Sequence, residues 1–355
     1  MTRKTGSASV ALGALAVLAV GVAVSAAAPS RVAAIPSGYT GVEAKLPTSY
    51  KAPVKKAGTS CTIGFQNPIA ANETLRAWQG AVVAEGKVLG CKVIALDDAL
   101  SVDKQVSNMQ QLLAQKANVI IFYPIDPKAT VPVLKQAKAK NVPVLAVDGT
   151  FGSVSATAPY LPYITSQVWQ GRDIQAFLQA QAMAKAKPGA NVGLIGIGAP
   201  VPALKYLNAR EAFWAKKDGL TVVGTQDNPT DDVTGGEKAA NGLLQRYSQM
   251  DAVIGYNDPS AIGAYTAARG AGRKLTVVGL NGSSDGRTAV NSGRIVATVK
   301  VDAVGWGVQQ AIAAYDLITK QNLPLPKIIV RPPTPITAAN IKSVPTWPAE
   351  IKAIK

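Results

Sequence analysis

Histidine is absent from all 355 residues. That removes Ser-His-Asp and Cys-His catalysis and every His-ligated metal site. Cysteine is nearly absent: Cys61 and Cys91 stand too far apart in sequence for a zinc pair. Acidic residues are the minority charge, 21 against 37 Lys and Arg, for a net charge of +16. The pairs Asp97-Asp98 and Asp231-Asp232 lack the alternating ligands and glycine of a calcium loop. The first pair reads as solvated loop carboxylates. Clustered positive charge is missing too. Lys135, Lys138 and Lys140 are scattered on one helical stretch, as on a solvated face. No basic patch interleaved with aromatics appears, which argues against a nucleic-acid partner. Gly196-Ile197-Gly198 has Val201 where a dinucleotide loop needs its third glycine, so it reads as a tight turn. No cofactor is expected, and no enzyme: a carboxylate-only hydrolase stays open as a weaker alternative, but spacing singles out no pair.

What is present begins with an address. Arg3 and Lys4 precede an uncharged run from Thr5 to Ser30 that ends in small residues such as Ser25-Ala26-Ala27. These are the parts of a signal peptide, taken as 1–34 with cleavage between Ala27 and Ala34. The run is long enough that an uncleaved anchor is the alternative. No cysteine lies there to accept lipid. An exported chain that is not a lipoprotein follows, in the periplasm or on the outer face of the cytoplasmic membrane. Residues 35–59 hold Pro36, Pro47 and Pro53 and read as a linker or arm.

Beyond the arm, β-branched apolar runs start near Thr62, Lys92, Val119 and Val144, and again near Asn191, Thr221, Asp251 and Leu275. Helical patterns fill the gaps, such as Leu75-Trp78-Val82 and Val106-Met109-Leu113. Alternation of this kind is α/β with parallel sheets, and two series of similar period predict two similar Rossmann-like lobes. Cys61 and Cys91 each precede a strand. On neighbouring parallel strands they reach disulfide distance, which export permits; two small buried residues are the alternative.

Ligands of open parallel sheets bind beyond the carboxyl ends of the strands. Those ends read Phe65-Gln66-Asn67, Tyr123-Pro124-Ile125-Asp126, Asp148-Gly149-Thr150-Phe151, Tyr256-Asn257-Asp258 and Asn281-Gly282-Ser283. Amides and carboxylates pair with adjacent hydroxyls while rings cover the C–H face of a sugar. The set fits reversible polyol capture.

Together with Ala129, Ala261 to Ala264 and Asp285-Gly286, these segments resemble, in order and spacing, the ribose-binding-like branch of the periplasmic binding proteins. The likeness spans roughly 62–331. Repressors of the same fold carry a DNA-binding headpiece, whereas an export segment stands here. The resemblance implies a three-strand hinge crossing near Ile164-Thr165-Ser166, Asn281-Gly282 and Val301-Asp302, with a ligand cleft between the lobes. One lobe would hold 60–165 plus 302–327, the other 166–301 plus 328–340, followed by a tail, 341–355. It further implies a monomer that captures a sugar or similar small polar solute and docks on the membrane permease of an ABC importer. Presentation to a membrane receptor, as a sensor, is the alternative.

Asp148, Asn257 and Asn281 are the best implied contacts, with Asp258 as a helix cap. Asn72, a contact or the N-cap of the first helix, joins them with Asn67, Phe65 and Tyr256. The family's sugar-clamping arginine falls at Ala209, so Arg210, one place late, would substitute or be a surface charge. Trp169 would supply a ring or sit in the core. The hinge Asp-Asn pair is replaced by Gln167-Val168, and the aromatic pair expected near Glu73-Thr74 is missing.

Overall fold

The structure is a computed structural model that describes residues 33–150 and 161–355. Nearly all of the export segment and Phe151 lie outside the described residues. Among those described, no helix is long and apolar enough to cross a membrane.

The first lobe is built from β1 (Thr62–Asn67), α1 (Glu73–Leu89), β2 (Lys92–Asp97), α2 (Val102–Ala114), β3 (Val119–Phe122), α3 (Pro127–Ala139), β4 (Val144–Val147) and β5 (Ser166–Trp169). The second follows with α4 (Arg172–Ala186), β6 (Asn191–Ile197), α5 (Pro202–Lys217), β7 (Thr221–Asn228), α6 (Val233–Arg246) and β8 (Ala252–Gly255). It continues through α7 (Asp258–Gly270), β9 (Thr276–Asn281), α8 (Ser284–Asn291) and β10 (Ala297–Lys300). Last come α9 (Ala303–Thr319), β11 (Ile328–Val330), β12 (Thr334–Thr337) and α10 (Trp347–Lys352). Strand order is β11-β5-β4-β3-β1-β2 in one sheet and β12-β10-β9-β8-β6-β7 in the other. All pairings are parallel except that of β12 with β10.

Local sequence explains the elements. Asn72 caps α1 by accepting from the Thr74 and Leu75 amides, and Gly90 ends it in the left-handed region at φ 80°. Trp78, Ala81, Val82 and Leu89 form its buried stripe. The uninterrupted Val119–Phe122 run is buried throughout, as a strand covered by helices on both faces must be. Thr62 pairs with Lys92 in the β1–β2 ladder, so the residues just before them are neighbours, and Cys61 and Cys91 form a disulfide.

The lobe boundaries need correction. Ser166–Trp169, expected in the second lobe, is a strand of the first sheet beside β4, and Ile328–Val330 pairs with it there. The crossings therefore fall at Gln170–Gly171, Val301–Asp302 and 331–333 rather than at Ile164–Ser166 and Asn281–Gly282. Only β12, from the expected 328–340 segment, joins the second sheet. The three crossings touch. Arg331 bonds Asp302 at 2.6 Å, and a Cβ on Gly171 (φ 68°) would stand 3.3 Å from Pro333. The strand that departs from expectation is β11, which pairs parallel with β5; its short apolar run carries no local mark of which sheet it joins.

The proline-bearing arm is packed rather than loose. Tyr39 is buried against Phe177 and Trp214, and its hydroxyl donates to Asp173 at 2.8 Å. Glu43 is wholly buried and accepts from the Trp169 indole and from the Asp173 and Ile174 amides at 2.9 and 3.0 Å. α4 starts at Gly171 with no side-chain cap of its own, so Glu43 supplies it. Farther along, the Lys56 amide donates to Tyr315 of α9 at 2.7 Å, taking the arm across to the first lobe. The tail crosses as well: Glu350 pairs with Lys300 at 2.7 Å, and Ile351 lies against Gly80 of α1.

Candidate functional site

A cleft, part of it open to solvent, lies between the lobes at the carboxyl ends of both sheets. Asn72, Thr74, Tyr123 and Trp306 line it from the first lobe, and Asp231, Tyr256, Asn257 and Asn281 from the second. Gln170 and Arg172 form its floor at a crossing. Pro68, Ile69, Leu100, Ile125, Val201 and Leu204 complete an apolar lining.

Asp231 organises the polar wall. It sits at φ 59° in the turn after β7, where a short polar side chain tolerates the left-handed region. Asn257 donates to it at 2.7 Å, the Tyr256 hydroxyl donates to the same oxygen, and Asn72 reaches its other oxygen from the opposite lobe at 3.2 Å. Burial pushes its carboxyl upward while these three donors pull it back. A second bridge joins the lobes nearby: Ser284, at the start of α8, donates through its amide and hydroxyl to Glu73 at 2.9 Å. The lobes are thus in contact across the mouth of the cleft. Asn281, at φ 112°, lines it with a carboxamide that has no hydrogen-bond partner among the described residues.

Topology and family agree at this point. Residues 63–322 match the periplasmic binding protein domain family. The chain belongs to the periplasmic binding proteins. Among relatives within this family, it is 27% identical over 260 residues to the ribose import binding protein RbsB of Bacillus subtilis (strain 168), covering 72% of this chain and 81% of that protein. It is 30% identical over 220 residues to RbsB of Escherichia coli (strain K12), covering 61% and 70%. A solved structure from Mycobacterium smegmatis, in complex with β-D-fucofuranose, has a TM-score of 0.71 at 19% identity, covering 83% of this chain and 97% of that one. That likeness is one of fold: two lobes, as the sequence pattern predicts.

Within this periplasmic binding protein, the expected contacts divide. Asn72, Tyr256, Asn257 and Asn281 line the cleft. Asn257, not Asp258, caps α7 by accepting from the Ser260 amide at 2.8 Å. Asp258 is wholly buried and holds Ser283 and Thr298, fixing the turn that presents Asn281.

The remaining candidates are elsewhere. Asp148 does not line the cleft: its buried carboxylate is taken by Arg172 at 2.8 Å, by the Gln170 amide at 3.1 Å and by Tyr123 at 3.3 Å. Burial pushes this carboxyl up, against the pull of the Arg172 guanidinium. Arg210 bonds Asp173 at 2.6 Å and lies over the Phe213 ring, outside the cleft lining. Phe65 is core, 4.4 Å from Trp78 by ring centroids. Asn67 is buried, tying β1 to α1 through the Leu75 carbonyl at 3.1 Å and Gln79 at 3.0 Å. Trp169 is core and donates to Glu43. Asp98, read as solvated, is buried among Gln66, Gln105 and Asn108.

Sequence reasoning missed Asp231, Arg172 and Trp306. Asp231 was weighed only as half of an acidic pair without a calcium-loop pattern, and its neighbour Asp232 caps α6. Arg172 follows the hinge directly, where the chain must cross the cleft floor, and that position was its only signal.

Proposed function

We propose that this periplasmic binding protein captures a sugar or similar small polar solute outside the cytoplasmic membrane and delivers it to an ABC importer. One observation carries the reading. Amides, a tyrosine and a carboxylate from both lobes converge on one cleft around Asp231, at the carboxyl ends of both sheets and above a three-stranded hinge. A carboxylate held by donors from both lobes can exchange some of them for ligand hydroxyls with little reorganisation. Among the described residues, the Asn281 carboxamide has no hydrogen-bond partner to give up. Pocket floor and hinge share residues 170–172, so lobe closure and ligand contact are coupled mechanically. The ribose import binding proteins among its relatives support a saccharide ligand.

In this reading Asn72, Asp231, Tyr256, Asn257 and Asn281 contact ligand directly. Asp148 acts indirectly, holding Arg172 at the cleft floor. Thermal-shift screening of the exported chain against pentoses, hexoses, polyols, amino acids and nucleosides tests the proposal. A saccharide should raise Tm in a dose-dependent way and be recovered unchanged. A folded sample stabilised by no saccharide, or one that converts it to product, overturns the reading.

A further inference from the structure

The chain has five tryptophans, and the fold provides an acceptor for four of their indole N–H groups. Trp78 donates to Gln310 at 2.7 Å, Trp214 to Asp173 at 2.6 Å and Trp347 to the Val301 carbonyl at 3.2 Å, while Trp169 donates to Glu43. Trp306 is the exception. Its ring is wholly buried and lines the cleft, yet its Nε1 has no hydrogen-bond partner among the described residues. A buried donor left unpaired is costly, and native proteins rarely keep one without a use. Other buried side chains also carry unpartnered atoms, Gln167 and Glu211 among them, but they are not part of the cleft lining.

Its position suits a ligand. Trp306 stands on the first turn of α9, directly after the Val301–Asp302 crossing, and Asp302 caps that turn by accepting from the Gly305 amide at 3.1 Å. The residue is therefore anchored to the hinge and belongs to the lining of the cleft that the hinge closes.

We infer that Trp306 is a specificity-determining ligand contact, donating its indole N–H to an acceptor oxygen of the bound saccharide. This rests on the reading of the cleft as a sugar site. Indole nitrogen only donates, so the atom facing it is a ring oxygen or a hydroxyl turned to accept, and not the ammonium of an amino sugar. The ring itself covers an adjacent C–H face.

Trp306→Phe keeps an aromatic ring and deletes the donor. Isothermal titration with the saccharide that stabilises the wild type should show binding at least tenfold weaker, while the Tm of the ligand-free variant is unchanged or higher. Binding within twofold of wild type overturns the inference and leaves the sugar-binding reading standing. A wild type that binds no saccharide overturns both. Should the variant not fold, ¹⁵N-tryptophan-labelled wild type decides. One indole N–H resonance should move on saturation with the saccharide while four hold. Five unmoved resonances overturn the inference.

Discussion

Asp231 concentrates the energetics of the cleft in one side chain. A hydrogen bond to an ionised group contributes about 1.5–3 kcal/mol, and three donors share this carboxylate. Replacing it with alanine leaves the Tyr256 hydroxyl and two amides without their acceptor. Asp231→Ala should weaken saccharide binding by roughly one to two orders of magnitude, measured by titration calorimetry, with far-UV circular dichroism unchanged. Half of the polar wall was legible in the sequence. Asn72, Tyr256, Asn257 and Asn281 stand where strands end and helices begin, and there the backbone fixes their direction. Asp148 stands at such an end too, but a downstream arginine captures it, and no pattern in the sequence announces that pairing. Arg210 was misjudged for a similar reason, since its partner Asp173 comes from a different helix.

Among the elements, the arm before β1 and the disulfide after it hold more than their sequences promise. Glu43 caps a helix more than a hundred residues away, so the arm is a structural part of the second lobe as well as the first. Glu43→Ala leaves the Trp169 indole and two helix-start amides buried and unpaired. Loss of about 2–3 kcal/mol is expected, read as a lower urea midpoint. The disulfide closes a sequence separation of 30, for which chain entropy gives about 3.6 kcal/mol. Cys61→Ala with Cys91→Ala should lose stability of that order, and reduction of the wild type should match it. Strand and helix positions in both lobes were readable because apolar runs alternate with amphipathic ones. The bridge was expected only if the strands after Cys61 and Cys91 are neighbours, and the β1–β2 ladder meets that condition. The arm was not: its contacts are single long-range pairings, and prolines hide any period.

At the scale of the whole molecule, several buried acids tie stability to pH. Burial raises Glu211 from its ordinary 4.5 to about 8, and Glu43 and Glu85 to about 7. Each folded value lies above the unfolded one, so the folded state binds more protons between them. Their contribution is complete below about pH 4.5 and is lost as pH rises through 7 and 8. Tm should be higher at pH 5 than at pH 8.5 by differential scanning calorimetry, and Glu211→Gln should narrow the gap. The two-lobe plan was legible from repeated periodicity; of the implied crossings Val301–Asp302 holds, the first falls a few residues later than expected, and the third lies at 331–333 rather than at Asn281–Gly282. Strands that cross between sheets look locally like any other strand, so partners rather than composition decide where they belong.

Parallel calorimetric titrations of the wild type and Asp231→Ala with the best-stabilising saccharide test saccharide capture between the two lobes. One site per chain is expected in the wild type, with at least tenfold weaker binding in the variant and unchanged saccharide recovered from both. Equal affinity in the two proteins, or no binding by a folded wild type, would contradict it.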